Sequence, residues 1–128
     1  MKKIISTDKA PKAIGPYSQA VEIDNMLFIS GQLPIDPVSN EIVKGGIAEQ
    51  TDQVLKNLST ILSAAGFGFV DVVKTTCMLS DLKNFTGMND VYAQYFTKDL
   101  PARATFQAAA LPRNAMIEME IIAVKQKA

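Results

Sequence analysis

The chain has no histidine and no tryptophan, a single cysteine and no net charge. Each absence removes a class of function. Without histidine, no Ser-His-Asp or Cys-His arrangement can form, and no His/Cys cluster has zinc-ligand spacing. No metal or other cofactor is expected. The lone Cys77 cannot close an internal disulfide, which suits a reducing, cytoplasmic setting. Lysine and arginine number 13, aspartate and glutamate 13, and there is no basic block. That argues against nucleic acid, whose binding rests on neutralised phosphates. No apolar run approaches the roughly 20 residues that span a bilayer. The start, Met1-Lys2-Lys3-Ile4-Ile5-Ser6, lacks the apolar segment and cleavage site of a signal peptide. No GxGxxG or Walker-type loop is found. Gly66-Phe67-Gly68 is too short a match, and Gly66 reads better as the end of a helix. The chemistry left uses carboxylates, Tyr, Thr, Arg, Lys, backbone groups and water. It favours a reaction that needs little proton-transfer machinery.

What is present suits one folded unit. A chain of 128 residues with 48% apolar content can bury a core, and residues 1–128 read as a single α+β domain. Lys2 to Thr7 is a short strand. Tyr17 to Ile23 and Met26 to Gly31 flank Asp24-Asn25, a two-residue turn signal, and read as a hairpin. Ile47, Val54, Leu55, Leu58, Ile61, Leu62 and Ala65 follow helical spacing, and Gly66 ends that helix. Val70 to Leu79 is rich in β-branched residues and reads as a strand. Ser80 or Asp81 can cap a second helix with a stripe of Phe85, Met88, Val91, Tyr92, Tyr95 and Phe96, stopped by Leu100-Pro101. Arg103 to Leu111 and Met116 to Lys125 read as a last hairpin. The order is β-ββ-α-β-α-ββ.

Within that last pair, Glu118 and Glu120 interrupt an apolar run, Met116 to Val124. Residues two apart on a strand share a face, so these carboxylates project together, roughly 7 Å apart. Burying a carboxylate is costly unless it is paired. If the two runs pair, Arg103 is a candidate partner, since a guanidinium grips a carboxylate with two parallel hydrogen bonds. A structural ion pair and a functional site both fit this pattern.

Two amphipathic helices can cover only one face of a six-stranded sheet. Yet Met26 to Ile29, Val70 to Leu79 and Met116 to Val124 carry apolar residues on both faces. A monomer seldom leaves such a patch bare, so a homo-oligomer is expected.

Ile14-Gly15-Pro16-Tyr17-Ser18-Gln19-Ala20, Ser30-Gly31-Gln32-Leu33-Pro34, Pro101-Ala102-Arg103, Leu111-Pro112 and Ile117-Glu118-Met119-Glu120-Ile121-Ile122-Ala123 together resemble the reactive intermediate deaminases. This is the Rid family, RidA subgroup, also called YjgF or L-PSP. The resemblance covers nearly the whole chain. It implies a chorismate-mutase-like fold, a six-stranded mixed sheet with two helices on one face, assembled as a homotrimer with clefts between subunits. It also implies hydrolysis of enamine and imine products of pyridoxal-phosphate enzymes, among them 2-iminobutanoate and 2-iminopropanoate, to 2-keto acids and ammonia. An imine is already electrophilic when protonated, so no metal and no nucleophilic side chain is required. By the same resemblance Arg103 anchors the substrate carboxylate and Glu118 positions or activates water. Tyr17, Gly31, Phe85, Asn89 and Thr105 line the substrate site. Thr105 departs from the pattern, where many members have Cys.

Each of these residues also has a plain structural reading. Tyr17 can be a packed ring with a satisfied hydroxyl, Gly31 a bend after the hairpin, Asn89 a polar helix position and Glu120 a structural acid. Two other functions remain open. One is a metabolite-binding regulator that uses the same pocket between subunits. The other is a ribonuclease or translation inhibitor, which zero net charge and the lack of a basic-aromatic stripe disfavour.

Overall fold

A computed structural model describes residues 1–126; the last two positions of the expected 1–128 unit lie outside the described residues. Strands β1 (Lys3–Ile5), β2 (Ala20–Ile23) and β3 (Met26–Gln32) come first, followed by helix α1 (Ile47–Ala64) and strand β4 (Val72–Leu79). Helix α2 (Phe85–Tyr95) and strands β5 (Ala102–Gln107) and β6 (Ile117–Val124) complete the order. The six strands form one sheet in the spatial order β1-β2-β3-β6-β4-β5. Only β4 and β5 run parallel. This is the α+β class that the element order predicts, with the mixed sheet that the resemblance implies.

Local chemistry sets the elements. Asp24 takes φ 53° in the β2–β3 turn, a conformation that Asp tolerates better than most residues. At the start of α1 the Gly46 amide donates to Glu49 Oε1 at 2.8 Å, satisfying one of the donors a helix start leaves free. Gly66 follows the helix end at φ 79°, as its expected role requires. The Lys83 amide donates to Asp81 Oδ1 at 2.9 Å. The expected Asp81 cap therefore holds a short 3₁₀ turn, Leu82–Asn84, that leads into α2. α2 ends at Tyr95, before the Leu100-Pro101 stop.

Val54, Leu55, Leu58, Ile61 and Leu62 of α1 and Met88, Val91 and Tyr92 of α2 pack on one face of the sheet. That face presents Leu27, Ile29, Cys77, Leu79, Ile117, Met119, Ile121 and Ala123, all at most 3% exposed. Even with this close packing α1 and α2 need Gly87, because a Cβ there would stand 2.7 Å from Ile47 Cγ2. The opposite face carries Phe28 at 38% and Ile23 at 39% exposure. Ladder partners Phe28 and Ile122, and Met26 and Val124, extend the same apolar stripe. No helix covers it, as the two-helix argument anticipates. No helix of the described residues is long and apolar enough to cross a membrane.

One expectation fails. β5 and β6 do not pair as a hairpin. β6 inserts between β3 and β4, antiparallel to both, and β5 lies at the edge beside β4. Burial explains the placement. Ile117, Met119 and Ala123 are fully buried, which suits a central strand, whereas five of the six β5 residues are exposed, which suits an edge.

Candidate functional site

The structure separates the predicted site residues into two groups on opposite faces of the sheet. The first group surrounds Arg103. Arg103 stands opposite Thr75 of β4, and Thr75 faces the helices, where its hydroxyl meets the Tyr92 hydroxyl at 2.9 Å. Arg103 therefore points toward α2. Its Nη1 donates to Asn89 Oδ1 at 2.7 Å. Its guanidinium carbon sits 4.8 Å from the Tyr92 ring centre and 5.5 Å from that of Phe85. Phe85, Asn89 and Tyr92 recur at i, i+4 and i+7, one face of a helix. All three partners are neutral, and no ion pair to Arg103 is found among the described residues. The guanidinium is held in place with its charge uncompensated. Asn89, Tyr92, Ala93, Leu100, Pro101 and Arg103 border a shallow depression of about 330 Å³.

Thr105 lies two residues along the same face, opposite the buried Cys77. Burial pushes the Cys77 thiol up, an effect Arg103, Thr75 and Thr105 partly offset. A thiol is a weak partner. The Thr105 hydroxyl oxygen is buried with no hydrogen-bond partner among the described residues.

The second group surrounds Glu118. Its ladder partner is Met78 and that of Glu120 is Thr76, so both carboxylates face the uncovered side. The β3–β6 register shifts between Ile29 and Gln32, a bulge that contains Gly31. The Glu118 side chain lies directly over this glycine. A Cβ at position 31 would overlap Glu118 Oε2 and stand 3.0 Å from its Cδ. Gly31 is thus required by close approach rather than by a bend. A cavity of about 650 Å³ opens here, lined by Ile14, Tyr17, Gly31, Leu33, Arg113, Glu118 and Glu120 among others. The half-buried Glu118 has no ion pair or hydrogen bond among the described residues. Its pKa is raised, first by burial and then by the neighbouring Glu120 charge. A carboxyl so placed holds its proton to higher pH than a free glutamate, as suits a group that both accepts and returns a proton.

The expected contact between Arg103 and the two acids is absent. β4 lies between them, and the side chains point to opposite faces. Lateral strand spacing and register place the Arg103 backbone roughly 14 Å from that of Glu118 and roughly 10 Å from that of Glu120. The structure brings Tyr17, Gly31 and Glu118 together, and separately Phe85, Asn89, Arg103 and Thr105.

Sequence reasoning missed three participants. Tyr92 reads as core from its stripe, although its spacing from Phe85 and Asn89 is the signal that it joins them. Glu120 reads as structural, yet it lines the cavity and acts electrostatically on Glu118. Arg113 has no sequence signal. It adopts φ 55° and its Nη1 donates to the Asn40 carbonyl at 3.0 Å, closing one side of the cavity. Among the described residues no group of three or more His, Cys, Asp or Glu side chains could hold a metal.

Comparison with known proteins agrees with this architecture. The family profile described as Endoribonuclease L-PSP matches residues 7–125. The 2-iminobutanoate/2-iminopropanoate deaminase of Bos taurus is 54% identical over 125 residues, covering 98% of this chain and 91% of the relative. The human protein of that name is 51% identical over the same length, with the same coverage. Among solved structures, a putative endoribonuclease of Thermotoga maritima superposes with a TM-score of 0.97 at 54% identity, covering 99% of this chain and 100% of the other. TdcF of E. coli with bound serine gives a TM-score of 0.93 at 40% identity, covering 97% and 99%.

Proposed function

The chain belongs to the L-PSP family, also called YjgF or Rid, and from that premise we propose that it is a 2-iminobutanoate/2-iminopropanoate deaminase. The observation that carries the reading is the Glu118 carboxyl, without an ion pair among the described residues, raised in pKa and set over Gly31 in a cavity open to solvent. Water adds to the carbon of the protonated imine of a 2-imino acid and gives a carbinolamine. Glu118 takes one proton from that water. Glu118 returns it to the nitrogen, and as the C–N bond breaks the carbinolamine hydroxyl proton passes to the Glu118 carboxylate, which releases ammonia and leaves the 2-keto acid. Arg103 grips the substrate carboxylate with its free guanidinium edge, and Thr105 lines the same face two residues along. Tyr17 closes the cavity beside the reacting carbon. No cofactor enters this sequence.

One protomer does not bring Arg103 to Glu118. We propose that the chain forms a homotrimer, in which the uncovered face of one copy meets the β5 edge of the next and completes a shared cleft. The apolar stripe of Phe28, Ile23 and Ile122 supports that contact. Light scattering should return about three times the chain mass; a monomer at micromolar concentration would remove the shared cleft. The activity test is a coupled assay with threonine dehydratase. Faster 2-ketobutyrate formation with this protein present is expected. Tight binding of 2-ketobutyrate with no acceleration would favour a metabolite-sensing role instead.

A further inference from the structure

We propose that Tyr92 is a positioning residue for substrate binding: its ring, fixed from behind by Thr75, sets where the Arg103 guanidinium stands. This rests on the reading of Arg103 as the carboxylate anchor.

Three observations carry it. The guanidinium lies 4.8 Å from the Tyr92 ring centre, nearer than the 5.5 Å to Phe85. Tyr92 is 8% exposed, and its hydroxyl is tied to the Thr75 hydroxyl at 2.9 Å. Thr75 is the residue of β4 directly opposite Arg103. One sheet rung therefore supplies both the cation and the hydroxyl that aims the ring beneath it. The ring face, which is electron-rich, attracts the guanidinium plane. Asn89 fixes one nitrogen at 2.7 Å. Ring and amide together hold the fork from two directions and leave its remaining N–H groups free for an anion. A long side chain on an exposed edge strand otherwise samples many rotamers, and ordering it on binding weakens affinity. Tyr92 removes part of that cost beforehand. Burial raises its pKa, so the ring stays neutral through the working pH range.

The test replaces Tyr92 with phenylalanine and then with mono-, di- and trifluorophenylalanine in the assembled protein. Shape is nearly kept while the ring face loses its negative potential. KM for 2-iminobutanoate and Kd for 2-oxobutanoate, the latter by calorimetry, are read along the series. Tyr92→Phe, which loses the tie to Thr75, should raise both constants by about two- to three-fold. Fluorination should raise both constants stepwise, by roughly two- to five-fold at the end, with kcat little changed. A merely structural role would lower the active fraction, so kcat would fall while KM stood still. That result, or a flat KM across the series, overturns the proposal. If Arg103→Ala abolishes 2-oxobutanoate binding while the series is flat, Arg103 remains the anchor and the role of Tyr92 is lost. If wild-type protein binds no 2-oxobutanoate, the anchor reading falls and this role with it.

Discussion

The two faces of the sheet treat charge in different ways. On the helix side Arg103 is gripped by an amide and two rings, none of which cancels its charge. On the open side the Glu118 carboxyl has no hydrogen bond or ion pair among the described residues; it is wedged above a glycine, and the charge that acts on it is another acid. The cation is ordered and the acid is destabilised. An anchor needs the first condition, because its direction must be fixed before the carboxylate arrives. A proton carrier needs the second, because its direction matters less than the ease with which it exchanges a proton. The difference between the faces matches the division of labour proposed for the two residues.

Arg103 should carry the greatest loss of activity. Arg103→Ala should lower imine hydrolysis by about 10³-fold while thermal unfolding stays near wild type, because the side chain is exposed and forms no ion pair among the described residues. Arg103→Lys should recover only part, since an ammonium lacks the two-pronged grip. Mixing two inactive variants sharpens the point. If the halves come from different copies, refolding Arg103→Ala with Glu118→Gln in equal amounts should restore up to about a quarter of wild-type turnover. No recovery would place both residues in one protomer's site, against the geometry.

Glu118→Gln should lower kcat by roughly 10²- to 10³-fold and weaken 2-ketobutyrate binding much less. Its stability should depart from wild type in a defined direction. The Glu118 pKa is higher in the folded state, so the folded protein binds that proton more tightly than the unfolded chain does. The stability this confers is present below the ordinary glutamate value and is lost as pH rises through the raised folded value. The melting temperature of Glu118→Gln should therefore gain on wild type across that window, as followed by calorimetry. A gap that narrows as pH rises would contradict the burial of this acid.

Gly31→Ala comes next. The added Cβ overlaps the Glu118 carboxylate, so the acid must leave its seat. Turnover should fall by about tenfold or more, with little change in denaturant melts, because the displaced atoms are the end of a flexible side chain. The smallest effect belongs to Thr105. Its hydroxyl is buried without a partner among the described residues, so Thr105→Val should raise the melting temperature slightly and change 2-ketobutyrate binding little. Loss of stability in that variant would mean that the hydroxyl already has a partner. Thr105→Cys should be near normal.

The parts of this design that were legible in the sequence were the local ones. The spacing from Val54 to Leu62 specifies α1 because the 3.6-residue period is written into neighbouring positions. The alternation around Glu118 correctly puts both acids on one face, for the same reason with period two. The partner of Glu118 was not legible. Two strands joined by the short Leu111–Asn114 turn suggest a hairpin, yet β6 pairs with β3 and β4, whose residues are far away in sequence. Strand order depends on which neighbour can bury Ile117 and Met119, and that information lies outside residues 103–124. Tyr92 shows the opposite error. Its spacing marked it as core, which it is, but one buried ring can pack on one side and seat a cation on the other.

The glycine beneath the acid also restricts how this protein can drift. Position 31 has no neutral neighbours in mutational space while Glu118 keeps its length, because the smallest side chain already displaces the carboxylate. Nor can the acid be shortened without withdrawing it from the cavity. The two positions behave as a single inherited character, and a lineage that changes one must pass through a form with an emptied or misplaced acid. Directed evolution that randomises position 31 alone should return glycine, whereas randomising 31 and 118 together is the route by which this surface could acquire a different chemistry.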